Sequence, residues 1–436
     1  MSFTAIAITG IVVMIVLMFL GMNIGLAMFF VGFLGYASVV NLKAAIGLLM
    51  SQPMSTAMNY TFTVMPMFIL MGQFVFYAGL GEGLFDAAEK WFGRVRGGIA
   101  MATIVACAAF GAVCGNLPAS IITMGLIAYP EMKNRGYDDR LSSGSLASGA
   151  TLGCLIPPSG TLILYGIITE TSIGSLFAAG IFPGILMALC FVLTVVVMIK
   201  RDPSMAPEGN SYSLKEKIIS LKGCLLTVIL FAVVIGGMFA GWFSATEAAS
   251  IGAAVALIIM IFKKKANPEN LKKCLWDAVR NTCMSMMIML GAYMLGYFLA
   301  VTNLPQSLAN SIASLDLPPM IIMAIIILIY AILGCIMDGL ALVLLTVPIM
   351  LPLVNALGYG TVWFGVIITM VMNLGAITPP VGTGAYITSG ALKVPLAKVF
   401  RGAAPFIIAF IIAFILVIMF PQIIEFLPKA IYGYIT

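Results

Sequence analysis

The sequence contains no histidine and few charged residues. Asp, Glu, Lys and Arg make up 9% of its 436 residues, whereas a soluble globular protein carries about 25%. Apolar residues make up 62%, and the mean hydropathy is +1.14. This composition excludes a water-soluble enzyme, a nucleic-acid-binding domain and a disordered protein. It indicates a polytopic integral membrane protein that lacks the commonest general base and metal ligand.

The hydrophobic pattern predicts an all-α fold. Strict alternation typical of a barrel strand is missing, and only helices or closed barrels satisfy backbone hydrogen bonds in lipid. Residues 5–40 exceed one span of about 20 residues, and Gly21 and Asn23 near the middle divide them into two helices. No Lys or Arg precedes Lys43, so we expect retained membrane helices and no secretory signal. The eight cysteines show no CxxC pair or metal-ligand spacing and are predicted to be free thiols.

An internal repeat relates the two halves of the chain. A gapless shift of 222 residues superimposes ten Gly, Pro, Tyr and Thr identities. They pair Pro130 with Pro352, Gly136 with Gly358, Tyr137 with Tyr359, Gly153 with Gly375, Pro157 with Pro379, Pro158 with Pro380, Gly160 with Gly382, Thr161 with Thr383, Gly180 with Gly402 and Pro183 with Pro405. We therefore predict two homologous repeats, 1–199 and 223–436, joined by a cytoplasmic linker, 200–222.

The loop charges predict that the two repeats have opposite orientations. Twenty of the 22 Lys and Arg residues lie in five segments: 81–97, 131–140, 200–222, 263–282 and 389–401. The positive-inside rule assigns these segments to the cytoplasm, so the net charge of +6 is loop charge rather than a nucleic-acid-binding surface. The basic loop 131–140 corresponds under the repeat to the uncharged loop 353–362, and the basic loop 389–401 corresponds to 167–176. Equivalent loops thus lie on opposite sides.

Two of the basic segments are also amphipathic. Residues 81–97 and 268–280 mix Trp, Phe and Leu with Lys and Arg. They are either amphipathic helices in the membrane interface or solvated loops that anchor neighbouring spans.

Four polar interruptions mark the candidate site, because inverted repeats with broken helices are the sequence pattern of secondary transporters. Two fall in predicted re-entrant hairpins, at 111–120 and 334–341, where glycine frees carbonyl groups and Asn116 and Asp338 add side-chain oxygens. Such oxygens suit a hard cation such as sodium. For any single glycine, close helix packing is the simpler explanation.

The other two interruptions are double prolines, at 153–161 and 375–383. Two consecutive prolines remove two backbone donors and force the preceding residue into an extended conformation, so each helix must open there. The freed carbonyl groups can bind a cation, and the following half-helix offers its positive N-terminus to an anion. A proline kink that serves only helix packing would explain one such motif. Two motifs at equivalent positions of the repeat favour a functional site.

Two acidic residues in apolar surroundings have different interpretations. A carboxylate within a membrane span costs roughly 2.5 kcal/mol or more, so Asp338 is either a cation ligand or protonatable group, or else a solvent-reached residue at a hairpin tip. Glu247 follows Ser244 at capping-box spacing, which predicts a helix start rather than a binding role.

At these residues the sequence resembles the large membrane subunit of TRAP (tripartite ATP-independent periplasmic) transporters. The resemblance rests on five stretches and covers nearly the whole chain. They are residues 155–159, 164–166, 241–249, 337–338 and 377–382. Two departures are visible: Gly115-Asn116-Leu117-Pro118 replaces the usual Gly-Ser-Ser hairpin tip, and Ala245 replaces a common proline.

The resemblance implies an inverted-repeat, elevator-type secondary transporter of a bacterial inner membrane, with two re-entrant hairpins and two interrupted helices. It also implies sodium coupling, a small membrane (Q) subunit, and a periplasmic substrate-binding (P) protein that delivers an organic acid such as a C4-dicarboxylate or sialic acid. For the organic acid, the predicted contacts are Ser159, Thr161, Val381, Thr383 and Asn116. For sodium, the predicted ligands are Gly115, Asn116, Gly153, Ile156, Pro158, Asp338, Gly339, Gly375, Thr378 and Pro380.

Three other functions compete with this interpretation. A self-sufficient sodium–carboxylate symporter of related architecture would need no binding protein. A membrane-embedded enzyme ranks far below, because the sequence has no HExxH motif and no paired intramembrane carboxylates. A passive channel is disfavoured by the two inverted halves with hairpins.

Overall fold

A computed structural model describes residues 3–307 and 318–433, and all regular structure within these ranges is helical. Seven of the described helices are long and apolar enough to cross a membrane, and five shorter apolar helices accompany them. The all-α membrane fold is thereby confirmed. The connection 303–318 has no Lys or Arg and is therefore predicted to face outward. It falls mostly outside the described residues.

Residues 3–58 form three helices separated by short turns. They are α1 (Phe3–Phe19), α2 (Ile24–Val39) and α3 (Leu42–Met58). The side chain of Asn23 accepts a hydrogen bond from the amide of Gly25 at 3.0 Å and caps α2. The stretch 5–40 is therefore two helices, as the sequence predicted.

The chain then builds a first hairpin and a first interrupted helix. The helices of this part are α4 (Val64–Tyr77), α5 (Leu80–Phe92), α6 (Gly98–Cys114), α7 (Leu117–Asn134), α8 (Asp139–Thr151), α9 (Gly160–Ile168) and α10 (Ile173–Arg201). We call α6 and α7 hairpin 1, and α8 and α9 interrupted helix 1.

A second hairpin and a second interrupted helix follow. The helices are α11 (Leu214–Phe231), a π-helical turn (Ala232–Gly236), α12 (Gly237–Phe239), α13 (Ala245–Phe262), α14 (Pro268–Val301), α15 (Pro319–Gly334), α16 (Gly339–Ala356), α17 (Thr361–Ala376), α18 (Thr383–Leu392), α19 (Leu396–Met419) and α20 (Gln422–Tyr432). Hairpin 2 comprises α15 and α16, and interrupted helix 2 comprises α17 and α18.

The helices pack into two groups. In one group, α14 packs along α2 and α4, and α13 packs along α4. A Cβ atom on Gly25 would lie 2.8 Å from the Cα of Ile288, so this glycine is what lets α2 and α14 approach closely. The other group contains both hairpins, both interrupted helices, α10 and α19. Helix α5 contacts both groups, through α4 and α6.

Four of the five basic segments are joined to one another by hydrogen bonds or ion pairs, and the fifth bonds to residues beside segment 81–97. We call the face that they form the basic face. Arg135 donates to Glu89 at 2.6 Å, and the Nε of Arg96 donates to the carbonyl of Ala206 at 2.8 Å. Lys398 pairs with Asp139 at 3.2 Å. The segment 263–282 joins this face where Lys263 donates to the carbonyl of Gly79 and Asp277 accepts from Tyr77. Their proximity agrees with the common cytoplasmic side that the loop charges predict.

Both amphipathic segments are mainly helical, at residues 80–92 and 268–280. The solvated-loop interpretation is therefore wrong for these residues. Residues 80–92 form the separate helix α5, in which Leu84 and Phe85 are buried and Trp91 is exposed. Residues 268–280 are not a separate element but the first part of the 34-residue helix α14. Since no proline or glycine interrupts residues 269–290, nothing in the local sequence ends the helix at the interface.

The capping box predicted at Ser244 is confirmed. The amide of Glu247 donates to the Oγ of Ser244 at 3.3 Å, and the carboxylate of Glu247 accepts from the amide of Ser244 at 2.8 Å. These reciprocal bonds begin α13 and satisfy two otherwise unpaired donors. Glu247 therefore acts in helix initiation. The eight cysteines are also free, as predicted.

We expect Ser244→Ala to destabilise the protein modestly without changing its substrate affinity. Loss of a serine N-cap costs roughly 1 kcal/mol, and the cap lies outside the four interruptions. Thermal unfolding followed with a thiol-reactive dye measures the effect, because Cys107 and Cys114 are buried and react only after unfolding. Ser250→Ala is the matched control, since its hydroxyl bonds only to the carbonyl of Thr246 within the same helix. An equal change in Tm for both variants would contradict the capping role.

Candidate functional site

The tip of hairpin 1 is a two-residue turn, Gly115-Asn116. Gly115 has φ +62°, the left-handed conformation that ends α6. The Oδ1 of Asn116 accepts a hydrogen bond from the amide of Ala119 at 3.1 Å and caps α7. Asn116, which the sequence predicts as an oxygen donor, therefore also caps a helix. This residue is exposed at the tip.

Interrupted helix 1 opens at the double proline and is held against the tip of hairpin 1. The α-helix ends at Thr151, a short 3-10 turn follows (Leu152–Cys154), and α9 begins at Gly160. The amide of Gly160 donates to the carbonyl of Gly115 at 3.3 Å. A Cβ atom on Gly153 would lie 2.6 Å from the Cα of Gly111, so hairpin 1 crosses the break at backbone contact distance.

Hairpin 2 and interrupted helix 2 meet in the same way. Helix α17 ends at Ala376 and α18 begins at Thr383. The amide of Gly382 donates to the carbonyl of Cys335, in the tip of hairpin 2, at 3.1 Å. A Cβ atom on Gly375 would lie 2.5 Å from the carbonyl oxygen of Gly334. The Oδ2 of Asp338 caps α16 by accepting from the amide of Leu340 at 3.1 Å.

The two hairpin–helix pairs contact each other. Helix α18 packs on α7, and α16 packs on α9. At the first of these contacts, a Cβ atom on Gly384 would lie 3.4 Å from the side chain of Leu117. Asp338 lies close enough to Cys154, in the first break, for an electrostatic interaction. The structure therefore brings all four interruptions into one region.

The predicted site residues differ in their accessibility. Ser159 is 0% exposed, and Thr161 is 6% exposed. The Ser159 hydroxyl bonds to the carbonyl of Cys154 and accepts from the amide of Leu162, so it stabilises the break itself. Thr378 similarly donates to the carbonyl of Leu374 at 2.6 Å.

The other predicted residues divide into a buried and an accessible set. Gly153, Pro158 and Gly375 are buried. Partly accessible are Gly115, Ile156, Gly339 and Thr383, while Asn116, Asp338, Pro380 and Val381 are exposed. Exposed residues therefore lie at three of the four interruptions, so the region where the interruptions meet is open to its surroundings. We call this region the recess.

Four helix N-termini converge on this recess, at the beginnings of α7, α9, α16 and α18. Each presents amide groups and a partial positive charge. Asp338 is the one carboxylate within the four interruptions. Among the described residues, no three His, Cys, Asp or Glu side chains cluster in a way that could hold a metal ion. The donors in the recess are therefore carbonyl and hydroxyl oxygens and this single carboxylate.

Three residues at or near the interruptions were given no individual role in the sequence analysis. Ser120 and Asn373 are buried, and the Ser120 hydroxyl and the Asn373 amide nitrogen have no partner within the described structure. Tyr165 is fully buried, and its hydroxyl donates to the carbonyl of Thr361 at 2.7 Å, which joins the two interrupted helices. Asn373 could have been singled out from the sequence, because it is a polar residue in an apolar segment two positions before Gly375.

Paired hairpin tips that meet paired helix breaks within apolar helices define a secondary transporter of the broken-helix class. The chain belongs to the family described as "Tripartite ATP-independent periplasmic transporter, DctM component", whose model matches residues 11–423. It is accordingly an integral protein of the inner membrane and a transporter permease rather than an enzyme.

Two relatives and one solved structure illustrate the similarity. The C4-dicarboxylate TRAP transporter large permease protein DctM of Pseudomonas aeruginosa is 32% identical, over 86% of this chain and 87% of the relative. The sialic acid TRAP transporter large permease protein SiaM of Vibrio cholerae is 30% identical, over 96% of this chain and 97% of the relative. The crystal structure of the Alcanivorax borkumensis YdaH transporter shares the fold, with a TM-score of 0.58 at 12% identity, over 88% of this chain and 90% of that one.

Proposed function

We propose that this chain is the large permease of a sodium-coupled, binding-protein-dependent transporter that imports an organic acid. The observation that carries the proposal is that each hairpin tip is hydrogen-bonded to a double-proline break and that the two pairs contact each other. A site of this kind combines oxygen donors for a small cation with helix N-termini for an anion.

The available donors fit sodium. The carbonyl groups of Gly115 and Cys335 each accept one amide hydrogen bond and keep a second lone pair. The cap engages the Oδ2 of Asp338, and an ionised carboxylate has about four lone-pair sites in all. Hard oxygen ligands suit sodium without any imidazole or thiolate.

The organic acid is proposed to bind at the N-termini of α9 and α18, where backbone amides and a partial positive charge face the recess. Val381 and Thr383 lie at the accessible edge of the second break. The relatives described above are named for a C4-dicarboxylate and for sialic acid, both of which carry carboxylates. A carboxylate-bearing solute is therefore the proposed substrate class.

We further propose that the group containing the hairpins moves as a unit against the group containing α2, α4, α13 and α14, which is an elevator mechanism. The boundaries 1–199, 200–222 and 223–436 remain the proposed inverted repeats and linker. A small membrane subunit and a periplasmic binding protein are the proposed partners, since the family description names a tripartite periplasmic transporter.

Uptake by the reconstituted system is expected to require an inward sodium gradient. Liposomes containing this chain and the small subunit would be supplied with the binding protein and a labelled dicarboxylate or sialic acid. Replacing sodium by potassium at equal ionic strength should reduce initial uptake to the level of empty liposomes. Undiminished uptake in potassium would reject sodium coupling. Undiminished uptake without the binding protein would favour a self-sufficient symporter.

A further inference from the structure

A second recess lies at the basic face, between α10 and α19, away from the four interruptions. Its volume is about 710 Å³. Arg140, Arg201 and Arg401 contribute to its lining, together with apolar residues of α10 and α19. Because α10 ends at the basic face and α19 begins there, the two antiparallel helices carry their arginines at the same end.

The depth of this recess matches one leaflet of a membrane. Leu193 precedes Arg201 by 8 residues on α10, which is about 12 Å along the helix axis. Ile412 follows Arg401 by 11 residues on α19, which is about 16 Å. The hydrocarbon of one leaflet is about 15 Å thick. Leu193, Ile408 and Ile412 line the recess and are exposed, so an apolar groove runs inward from a basic rim.

Two of the three arginines are available to a ligand. Arg140 already pairs with Asp138 at 3.0 Å, and this hydrogen-bonded pair lowers the pKa of the Asp138 carboxyl. Asp202 also lines the rim, but it accepts hydrogen bonds from Ser204. Within the described structure, no hydrogen bond or ion pair is found for the guanidinium groups of Arg201 and Arg401, and both residues are exposed.

We propose that this recess binds an anionic phospholipid of the cytoplasmic leaflet. Its phosphate lies between Arg201 and Arg401, and an acyl chain follows the groove past Leu193 and Ile408. Guanidinium groups bind phosphate oxygens in a bidentate geometry, and basic pockets between helices on the cytoplasmic side are suited to anionic head groups. The charge of the rim selects an anionic lipid over a zwitterionic one. The proposal is independent of the transported substrate.

Native mass spectrometry of the purified full-length chain tests this proposal. The protein would be exposed to equal amounts of phosphatidylglycerol and phosphatidylcholine with identical acyl chains. We expect preferential retention of phosphatidylglycerol, and a loss of that preference of roughly thirtyfold in R201Q/R401Q. K264Q/K265Q is the control, because it removes the same charge from exposed lysines of another basic segment. Equal retention of both lipids by the unmodified protein, or equal losses in the two double variants, would overturn the proposal.

Photocrosslinking locates the bound lipid. A phosphatidylglycerol with a photoactivatable acyl chain should label peptides containing Leu193 and Ile408 in the unmodified protein and not in R201Q/R401Q. A thermal unfolding curve for each variant establishes that it is folded. Labelling elsewhere would overturn the proposal. So would disappearance of the labelling on co-expression with the small membrane subunit, because a protein helix would then be the natural occupant of the groove.

Discussion

Gly375→Ala is expected to abolish transport and to lower the Tm. The added Cβ atom would lie 2.5 Å from the carbonyl oxygen of Gly334 and 2.7 Å from the amide nitrogen of Cys335. These are backbone atoms of the hairpin 2 tip, so no side-chain rotation can relieve the clash. Overpacking commonly costs 1–3 kcal/mol when side chains can adjust, and we expect more than about 3 kcal/mol here. If the hairpin 2 tip moved away from the second break, the hydrogen bond from the amide of Gly382 to the carbonyl of Cys335 would also be disturbed.

Gly390→Ala is the matched control for this prediction. It makes the same substitution in α18, yet a Cβ atom there would have no neighbour within 4 Å. Uptake in liposomes and thermal unfolding should distinguish the two variants clearly. Gly153→Ala should reproduce the defect in the first pair, because its Cβ atom would lie 2.6 Å from the Cα of Gly111. If Gly375→Ala transported as well as Gly390→Ala, the tip and the break would not be in contact in the working protein.

Asp338→Asn is expected to impair sodium-dependent uptake while leaving the fold intact. Asparagine accepts the same N-cap hydrogen bond from the amide of Leu340, so α16 should still begin correctly. Only the charge is lost. Opposite charges 4 Å apart near a protein surface attract by about 4 kcal/mol, and loss of half of this would weaken sodium binding roughly thirtyfold. The sodium concentration for half-maximal uptake should rise accordingly.

Two further variants separate the effect of the Asp338 charge from the effect of its helix cap. Asp338→Ala removes both and should additionally lower the Tm by the loss of the cap. Asp86→Asn removes a carboxylate that pairs with Lys90 on α5, outside the recess, and should leave the sodium dependence unchanged. An unchanged sodium dependence in Asp338→Asn would show that Asp338 serves only as the cap of the hairpin tip.

Local chemistry made much of this structure predictable. The double prolines open both interrupted helices where the sequence placed the breaks, because proline removes a donor wherever it stands. Ser244 and Glu247 form the expected capping box for the same local reason. Asn116 and Asp338 were predicted only as oxygen donors, yet each caps the following helix. That role was readable from the sequence, since Asn and Asp are preferred N-caps.

Other features depended on distant contacts. The burial of Ser159, a predicted substrate contact, was not evident from the sequence. Asn373 was overlooked, although it is buried two residues before a break. Residues 268–280 continue into α14, because no local signal separates an interfacial helix from a span. Exposure and helix length are consequences of what packs against a segment.

By itself, the sequence determined that the chain is a helical membrane protein, where its helices break, and which loops carry its charge. These depend on composition and on backbone chemistry within a few residues. Only the tertiary structure decided that four breaks separated by up to about 270 residues meet in one recess, and that Arg201 and Arg401 share a groove. Such neighbours are selected by close glycine-mediated packing between helices, which no local pattern encodes.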